Sequence, residues 1–425
     1  MTQTQTRPGR GWLRRLVIVG IALVLLLLLV RTGVDLWASR RVSAQVAKLE
    51  AQHGSLDVST LRVPPVPEEE NRARAMRAAA ALVVEATEAV SGGLRDRAAL
   101  SRFVAQRGPT PIPEDMKAFV EANRAAIRVA HEARDRRLSN WETDYSAGTN
   151  TPGLLEIRRL SDALYLSARL DLDAGRVDDA ASSLSTGLAL SASLRQEPSL
   201  ITQLIRSAVA LQHFEGVQRL LTESEPSESA LEMLATALAE NRTPAPMHIG
   251  LIGELKTFHT SLGRSVDGEG GWWPGQVSWF SRPLFRVAHA QYLEGIGRLL
   301  DLELGPRPRP AVSTKEPSKW SLVPGGIASG TAGLERALET GDLHGSALAM
   351  TELAVALRRF RLAHGAYPDA LAALAPEYIA RVPSDPLAGK PPVYVRQGVG
   401  FTLHSEGAKD DKPMHAAAVT WNVAR

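Results

Sequence analysis

Cysteine is absent from all 425 residues, which excludes disulfides, thiolate metal sites and cysteine nucleophiles together. Familiar catalytic signatures are missing as well. There is no HExxH, no phosphate loop, no GxGxxG opening a helix and no GxSxG. An excess of one charge sign is lacking over most of the chain. The first 41 residues hold seven Arg and one Asp, leaving 42 basic and 45 acidic side chains for everything after them. The isoelectric point near 9.2 therefore reports the N-terminus. The body is mildly acidic and has no basic stripe interleaved with aromatics, so a nucleic-acid partner loses its electrostatic support.

Long apolar runs are missing too, with a single exception. Leu16 to Val30 reads LVIVGIALVLLLLLV, fifteen residues without a charge. At about 1.5 Å per residue this covers about 22 Å, less than a bilayer core of about 30 Å, so the flanks must contribute. Arg14, Arg15 and Arg31 have stems long enough to snorkel, and Trp12 and Trp37 bracket the run. We expect a cytoplasmic tail over 1–12, a membrane-spanning helix over 13–31 and the remaining chain on the periplasmic or exterior face of a bacterial cytoplasmic membrane. A cleaved signal peptide is the competing reading, since Arg7, Arg10, Arg14 and Arg15 form a basic n-region. Against cleavage, the run passes straight into Arg31 and Asp35 without a clear small-x-small site.

Past the anchor the helical pattern extends to about Ala51 and breaks at HGS and LRVPPVPEEE, a hinge over 52–67. A helical body is expected over 68–304. Its helices are predicted at Glu68–Val90, Leu94–Gln106, Pro113–Arg137, Leu154–Ala174, Val177–Leu194, Pro198–Leu221, Ser227–Ala239, His248–Leu262 and Leu284–Leu304. The loop WETDYSAGTNTPG reads as too polar and turn-rich to be core. AGRVDDAASSLSTGLAL is similar to the second half of a tetratricopeptide repeat, with Gly175 ending one helix and an Ala-Leu face packing the next. VDGEGGWWPGQVSWF gathers Trp272, Trp273 and Trp279 in a Gly-rich loop, either a binding patch facing a partner or membrane, or a lid folded over the helical core. Residues 305–330 read as a Pro- and Gly-rich linker or loop.

Three further groups of residues invite a chemical reading and each has a plainer one. His248 and His259 share a helical face, but eleven residues apart is not ligand spacing. Asp171, Asp173, Asp178 and Asp179 flank Gly175, as an acid/base pair or cation site, or as helix-end capping groups. Arg72, Arg74 and Arg77 suit an anionic lipid headgroup or a solvated face with intrahelical pairs. No residue is assigned a catalytic role.

The last part changes character. A strongly amphipathic helix over Leu343–His364 gives way to GAYPDALAAL, then to VPSDPLAGKPPVYVRQGVGFTLHSEGAKDD, where Val393–Arg396 and Phe401–His404 have strand composition and Ala417–Val423 adds a third strand. The order of FRLAHGAYPDALAAL, VPSDPLAGKPPVYV, GFTLHSEG and AVTWN in residues 343–425 resembles the globular module of type II secretion major pseudopilins. The resemblance implies a small α+β pilin-like module with a short antiparallel sheet. It also implies calcium in the loop before the last strand, where Glu406, Asp410 and Asp411 would be the oxygen ligands. Lys409 and Lys412 in that loop oppose a cation, and no pseudopilin peptidase site precedes Leu16. The whole chain also resembles a type of uncharacterised, membrane-anchored bacterial protein with a PEEENRA-like helix start and a motif like QEPSLITQLI.

The expected architecture is therefore mainly α: an N-terminal transmembrane helix, a multi-helix, partly repeat-like body and the C-terminal module. The expected function is a membrane-anchored, envelope-facing scaffold or protein-interaction protein, extended by the resemblance to an accessory of a secretion or pilus-like system. The alternative is an envelope ligand-binding receptor or hydrolase using the Trp-rich loop and a helical concavity. Membrane lipid and protein partners are expected, without nucleic acid, and without a cofactor beyond the calcium that the resemblance implies.

Overall fold

The computed structural model of the chain describes residues 11–83, 103, 111–145, 153–269, 277–309, 330–407 and 420–424. The fold is mainly helical, with one long apolar helix at the N-terminus and a small three-stranded antiparallel sheet near the C-terminus. It forms two compact units. Among the described residues the first gathers 11–57, 258–269, 277–298 and 330–332, and the second holds the rest. The division between Asp57 and Val58 falls inside the segment expected to be a hinge.

The first unit is built on helix α1, Gly11–His53, whose 43 residues span about 65 Å. Large apolar side chains from Trp12 to Val30 are exposed, and the helix is long and apolar enough to cross a membrane. It continues without a break past Arg31, and its character then changes. Arg31, Asp35, Ala38, Val42, Gln45 and Leu49 turn inward at alternating spacings of four and three, the period of a helix seam. This seam packs on the ends of α9, His248–Asp267, and α10, Arg282–Leu304, that belong to the same unit. Helix α10 runs parallel to α1, because Asp35 meets Arg286 at 2.9 Å, Arg41 meets Glu294 at 2.6 Å and Leu49 lies against Gly297. Helix α9 runs antiparallel to α10, with His259 against His289 and Phe258 stacked on Tyr292 at 3.8 Å between ring centroids.

The second unit begins in the PEEENRA segment. Glu68–Glu70 form a single 3-10 turn, and α2 starts at Arg72, later than the Glu68 expected from composition. Asn71 explains the shift, since its side chain accepts from the Arg74 amide and takes the N-cap. The predicted helix over 113–137 is two helices, α3 Glu114–Ala122 and α4 Arg124–Ala133. They part at Asn123, whose buried amide donates back to the Phe119 carbonyl at 2.8 Å and competes with the helical ladder. The WETDY segment corrects another expectation: Trp141 and Tyr145 are buried, with Trp141 Nε1 donating to the Ser193 carbonyl at 3.0 Å.

The repeat-like centre follows its sequence closely. Helices α5, Leu154–Asp173, and α6, Val177–Ser193, are joined by a Schellman turn in which Arg176 N donates to Asp171 O and Gly175 N to Leu172 O. Gly175 occupies the left-handed position at φ 74°, where a side chain would be strained. Helices α7, Leu200–Glu223, and α8, Glu228–Glu240, complete the array. Small residues set its spacing. A Cβ on Gly187 of α6 would overlap the His213 ring of α7, and one on Gly216 of α7 would overlap Leu184.

Helix α11, Gly330–His364, leads into the C-terminal segment. A 3-10 turn over Leu371–Leu374 precedes strands β1 Val393–Gln397, β2 Gly400–His404 and β3 Thr420–Val423, in the order β1-β2-β3. Tyr394 pairs Leu403, and Leu403 pairs Trp421. The inward side chains Phe401, Leu403, Trp421 and Val423 share one core with α6, α7, α8 and α11, including Leu184, Leu220, Leu234 and Leu353. The C-terminal segment and the central helices thus bury the same apolar surface.

Candidate functional site

The VPSDP and HSEG pieces of the C-terminal segment converge on one carboxylate. Asp385 of VPSDP is fully buried, and it accepts hydrogen bonds from the Ser346 hydroxyl of α11, the Ser405 hydroxyl following β2, and the Leu387 amide at 2.9 Å. Ser405 in turn accepts from the Gly407 amide at 3.0 Å. Gly407 is required there, because a Cβ would overlap the Leu387 carbonyl. These contacts staple the end of the sheet to the long helix, so the Ser-Asp-Pro and Ser-x-Gly pieces hold geometry.

A polar groove of about 420 Å³ lies between α8, α11 and residues 378–380 of the second unit. Its floor carries Glu352, whose carboxylate is nearly inaccessible and is bonded to Arg242 Nε at 2.6 Å. Burial pushes Glu352 above the ordinary glutamate range, while the Arg242 hydrogen bond and charge pull it back. Arg359 forms the wall, held by Glu228 at 2.7 Å and Glu232 at 2.9 Å, with its guanidinium over the Tyr378 ring. Two guanidinium groups, two carboxylates and a phenol thus line one concave surface. Such a surface can exchange its internal ion pairs for a charged ligand or peptide.

Further charge is buried nearby in sequence, where reasoning from composition expected a loose linker. Arg307 Nε meets Asp342 at 2.9 Å, Arg309 meets both Glu303 and Asp342, and Glu303 accepts from the Met247 amide at 2.8 Å. Burial raises Glu303 and Asp342 and lowers Arg309, with the opposite charges acting against each shift. Residues 305–309 are thereby pinned to the second unit. At the corner between α6 and α7, the QEPSLITQLI motif is structural in a similar way. Gln203 donates to the carbonyls of Leu194 and Glu197, and its own oxygen accepts from buried Arg206 at 2.8 Å. Desolvation lowers Arg206 to about 10. Glu197, raised by burial, accepts from the Tyr145 hydroxyl.

The residues singled out from sequence fall into separate places. Trp279 is half exposed, with its carbonyl accepting from Arg31 Nη2 at 2.6 Å and its ring 3.5 Å from the Arg31 guanidinium. Trp272 and Trp273 lie outside the described residues, as do Asp410 and Asp411. Glu406 is paired with Lys390, which offers a cation to the carboxylate expected to meet calcium. Among the described residues no group of three or more His, Asp and Glu could hold a metal ion. Asp171 binds Arg176 Nε at 3.0 Å, Asp179 lies 3.7 Å from the same guanidinium, Asp173 lies 3.8 Å from Arg169, and Asp178 accepts from the Ser227 amide at 3.1 Å. Arg72 is buried against Glu240 at 2.6 Å, Arg74 meets Glu68 at 3.0 Å, and Arg77 faces the Trp141 ring.

His259 meets His289, a partner that sequence spacing did not suggest. His259 Nδ1 and His289 Nε2 are 3.0 Å apart, so one ring donates and the other accepts, and the two cannot both be protonated in that arrangement. Desolvation lowers both, and together with the His259 charge it takes His289 down to about 3. No signal in the sequence marks this pair, because its members come from antiparallel helices 30 residues apart.

Comparison with protein-family models, with curated proteins and with solved structures yields no match for this chain. The site must therefore be read from its own geometry.

Proposed function

We propose that the protein is a single-pass scaffold of the bacterial cytoplasmic membrane, its body facing the periplasm or cell exterior and binding other envelope proteins. One observation carries this reading: α1 passes from a fully exposed apolar half into a half clamped by helices of the body, without a flexible joint at Arg31. A continuous helix fixes the height of the first unit above the membrane, which suits a scaffold better than a loosely tethered domain. The order of residues in the C-terminal segment favours a place beside a secretion or pilus-like assembly, as an accessory.

The test is crosslinking of intact cells followed by purification of the full membrane form. Recovery of secretion or pilus components supports the reading, and purification free of any crosslinked protein refutes it. A second reading, a ligand-binding receptor, is favoured by the groove around Glu352 and Arg359. It predicts that Arg242→Ala and Arg359→Ala abolish capture of a small charged ligand while leaving protein crosslinks in place.

A further inference from the structure

We propose that the turn over Ser278–Ser281, just ahead of α10, is a second membrane contact, with Trp279 and Phe280 seated among the phospholipid headgroups of the bilayer that α1 crosses. This rests on the membrane-anchor reading above. The turn is tied to α1 at the residue where its apolar run ends: Arg31 directly follows Val30, and both Nε and Nη2 donate to the Trp279 carbonyl, at 3.1 and 2.6 Å. Whatever depth Arg31 takes at the membrane edge, Trp279 shares it to within a side chain's reach. The residues placed there have the character of an interface. Trp279 is 47% exposed and Phe280 77% exposed, stacked edge to face at 4.9 Å. Aromatic rings of this kind are favoured at headgroup level, where an apolar body meets a polar layer.

Charge points the same way. Among the described residues Arg31 is held by a carbonyl and an aromatic face, both neutral, which leaves its positive charge for an anionic headgroup phosphate. Ser278 and Ser281 close the turn on themselves, with Ser278 N donating to Ser281 Oγ at 2.9 Å and Ser281 N to Ser278 Oγ at 3.2 Å. The backbone of the turn is thereby partly satisfied before it meets lipid, which lowers the cost of placing it in the interface. Anchored at two points, the first unit has its rotation about the α1 axis restricted as well as its height set.

The absence of cysteine makes the test direct, because any introduced cysteine is the only one. Leu29→Cys, Phe280→Cys and Ala51→Cys variants of the full chain, each carrying one fluorophore, are reconstituted in vesicles of phosphatidylcholine and phosphatidylglycerol. Quenching is read with nitroxides on the headgroup or deep in the acyl chain. All three positions are exposed and lie in the first unit, so labelling leaves the fold intact. The proposal expects several-fold quenching of the Phe280 label by headgroup nitroxide, little quenching of the Ala51 label, about 30 Å further along α1 than Arg31, and strong quenching of the Leu29 label by acyl-chain nitroxide. A Phe280 label quenched no more than the Ala51 label, with Leu29 in lipid, overturns the second contact and leaves the anchor standing. A Leu29 label untouched by either nitroxide overturns the anchor and the contact together.

Discussion

Substituting His289 by Gln removes one member of the buried His259–His289 pair and gives a numerical test of the packing of the first unit. In the folded chain His289 is lowered to about 3, chiefly by desolvation, against about 6.5 for an exposed imidazole. The unfolded chain therefore binds a proton between these values that the folded chain refuses. Stability contributed by the neutral ring is full above pH 6.5 and is lost as pH falls towards 3. Between pH 8 and pH 5 the loss is about 2 kcal/mol, a factor of about thirty in the opening equilibrium. Buried carboxylates act oppositely: burial raises Glu197, Glu254, Glu303 and Glu352, so each gains stability on acidification. Those groups are common to both proteins and cancel in the difference. The assay is hydrogen exchange of amides in 284–298 for the intact chain in lipid nanodiscs, corrected for intrinsic rates at each pH. Wild-type protection should fall about thirtyfold more than that of His289→Gln over this range. Equal falls in the two proteins would refute the claim that a neutral, desolvated ring packs there.

Other perturbations address the second unit. Asp385→Ala strands two hydroxyls and an amide inside the core and should cost about 3–5 kcal/mol in urea unfolding of the full chain; a loss under about 1 kcal/mol would show that the staple is dispensable. Two alanine substitutions in α9 should differ in sign. Gly253→Ala drives a Cβ into the Pro198 carbonyl and should destabilise by about 1–3 kcal/mol, while Gly263→Ala meets open space and should stabilise by about 0.5–1 kcal/mol. Ser227→Ala removes the cap of α8, whose hydroxyl accepts from the Ala230 amide at 3.2 Å, and should lower stability by about 1 kcal/mol in the same unfolding measurement.

Local rules made much of the fold legible. Gly175 with an Ala-Leu face predicted the α5–α6 turn within a residue, and strand composition predicted β1 and β2. The features that escaped depend on side chains finding distant partners. Asn123 divides a helix by bonding Phe119, which no periodicity records. Trp141 and Tyr145 sit in a polar stretch, yet Ser193 and Glu197 of the α6–α7 corner draw them inside. Arg307 and Arg309 look like linker residues until Glu303 and Asp342 are brought beside them. The groove was equally invisible, since Glu232, Glu352 and Tyr378 come from segments more than a hundred residues apart at their extremes.

That contrast bears on what the C-terminal segment can do. Asp385, Ser405 and Gly407 form the staple, Tyr367 and Trp421 fill the core, and Gly365 takes a left-handed turn at φ 75°. Every one of these residues is engaged in closing a three-stranded sheet onto a helix. Their roles are local packing, as a buried acceptor, tight glycines and an aromatic plug. Assembly into a fibre would need surfaces that such residues do not supply. The exposed candidates lie elsewhere, in the Arg359–Tyr378 groove and the Trp279–Phe280 turn, and substitutions at those two sites are what should separate protein recognition from membrane placement.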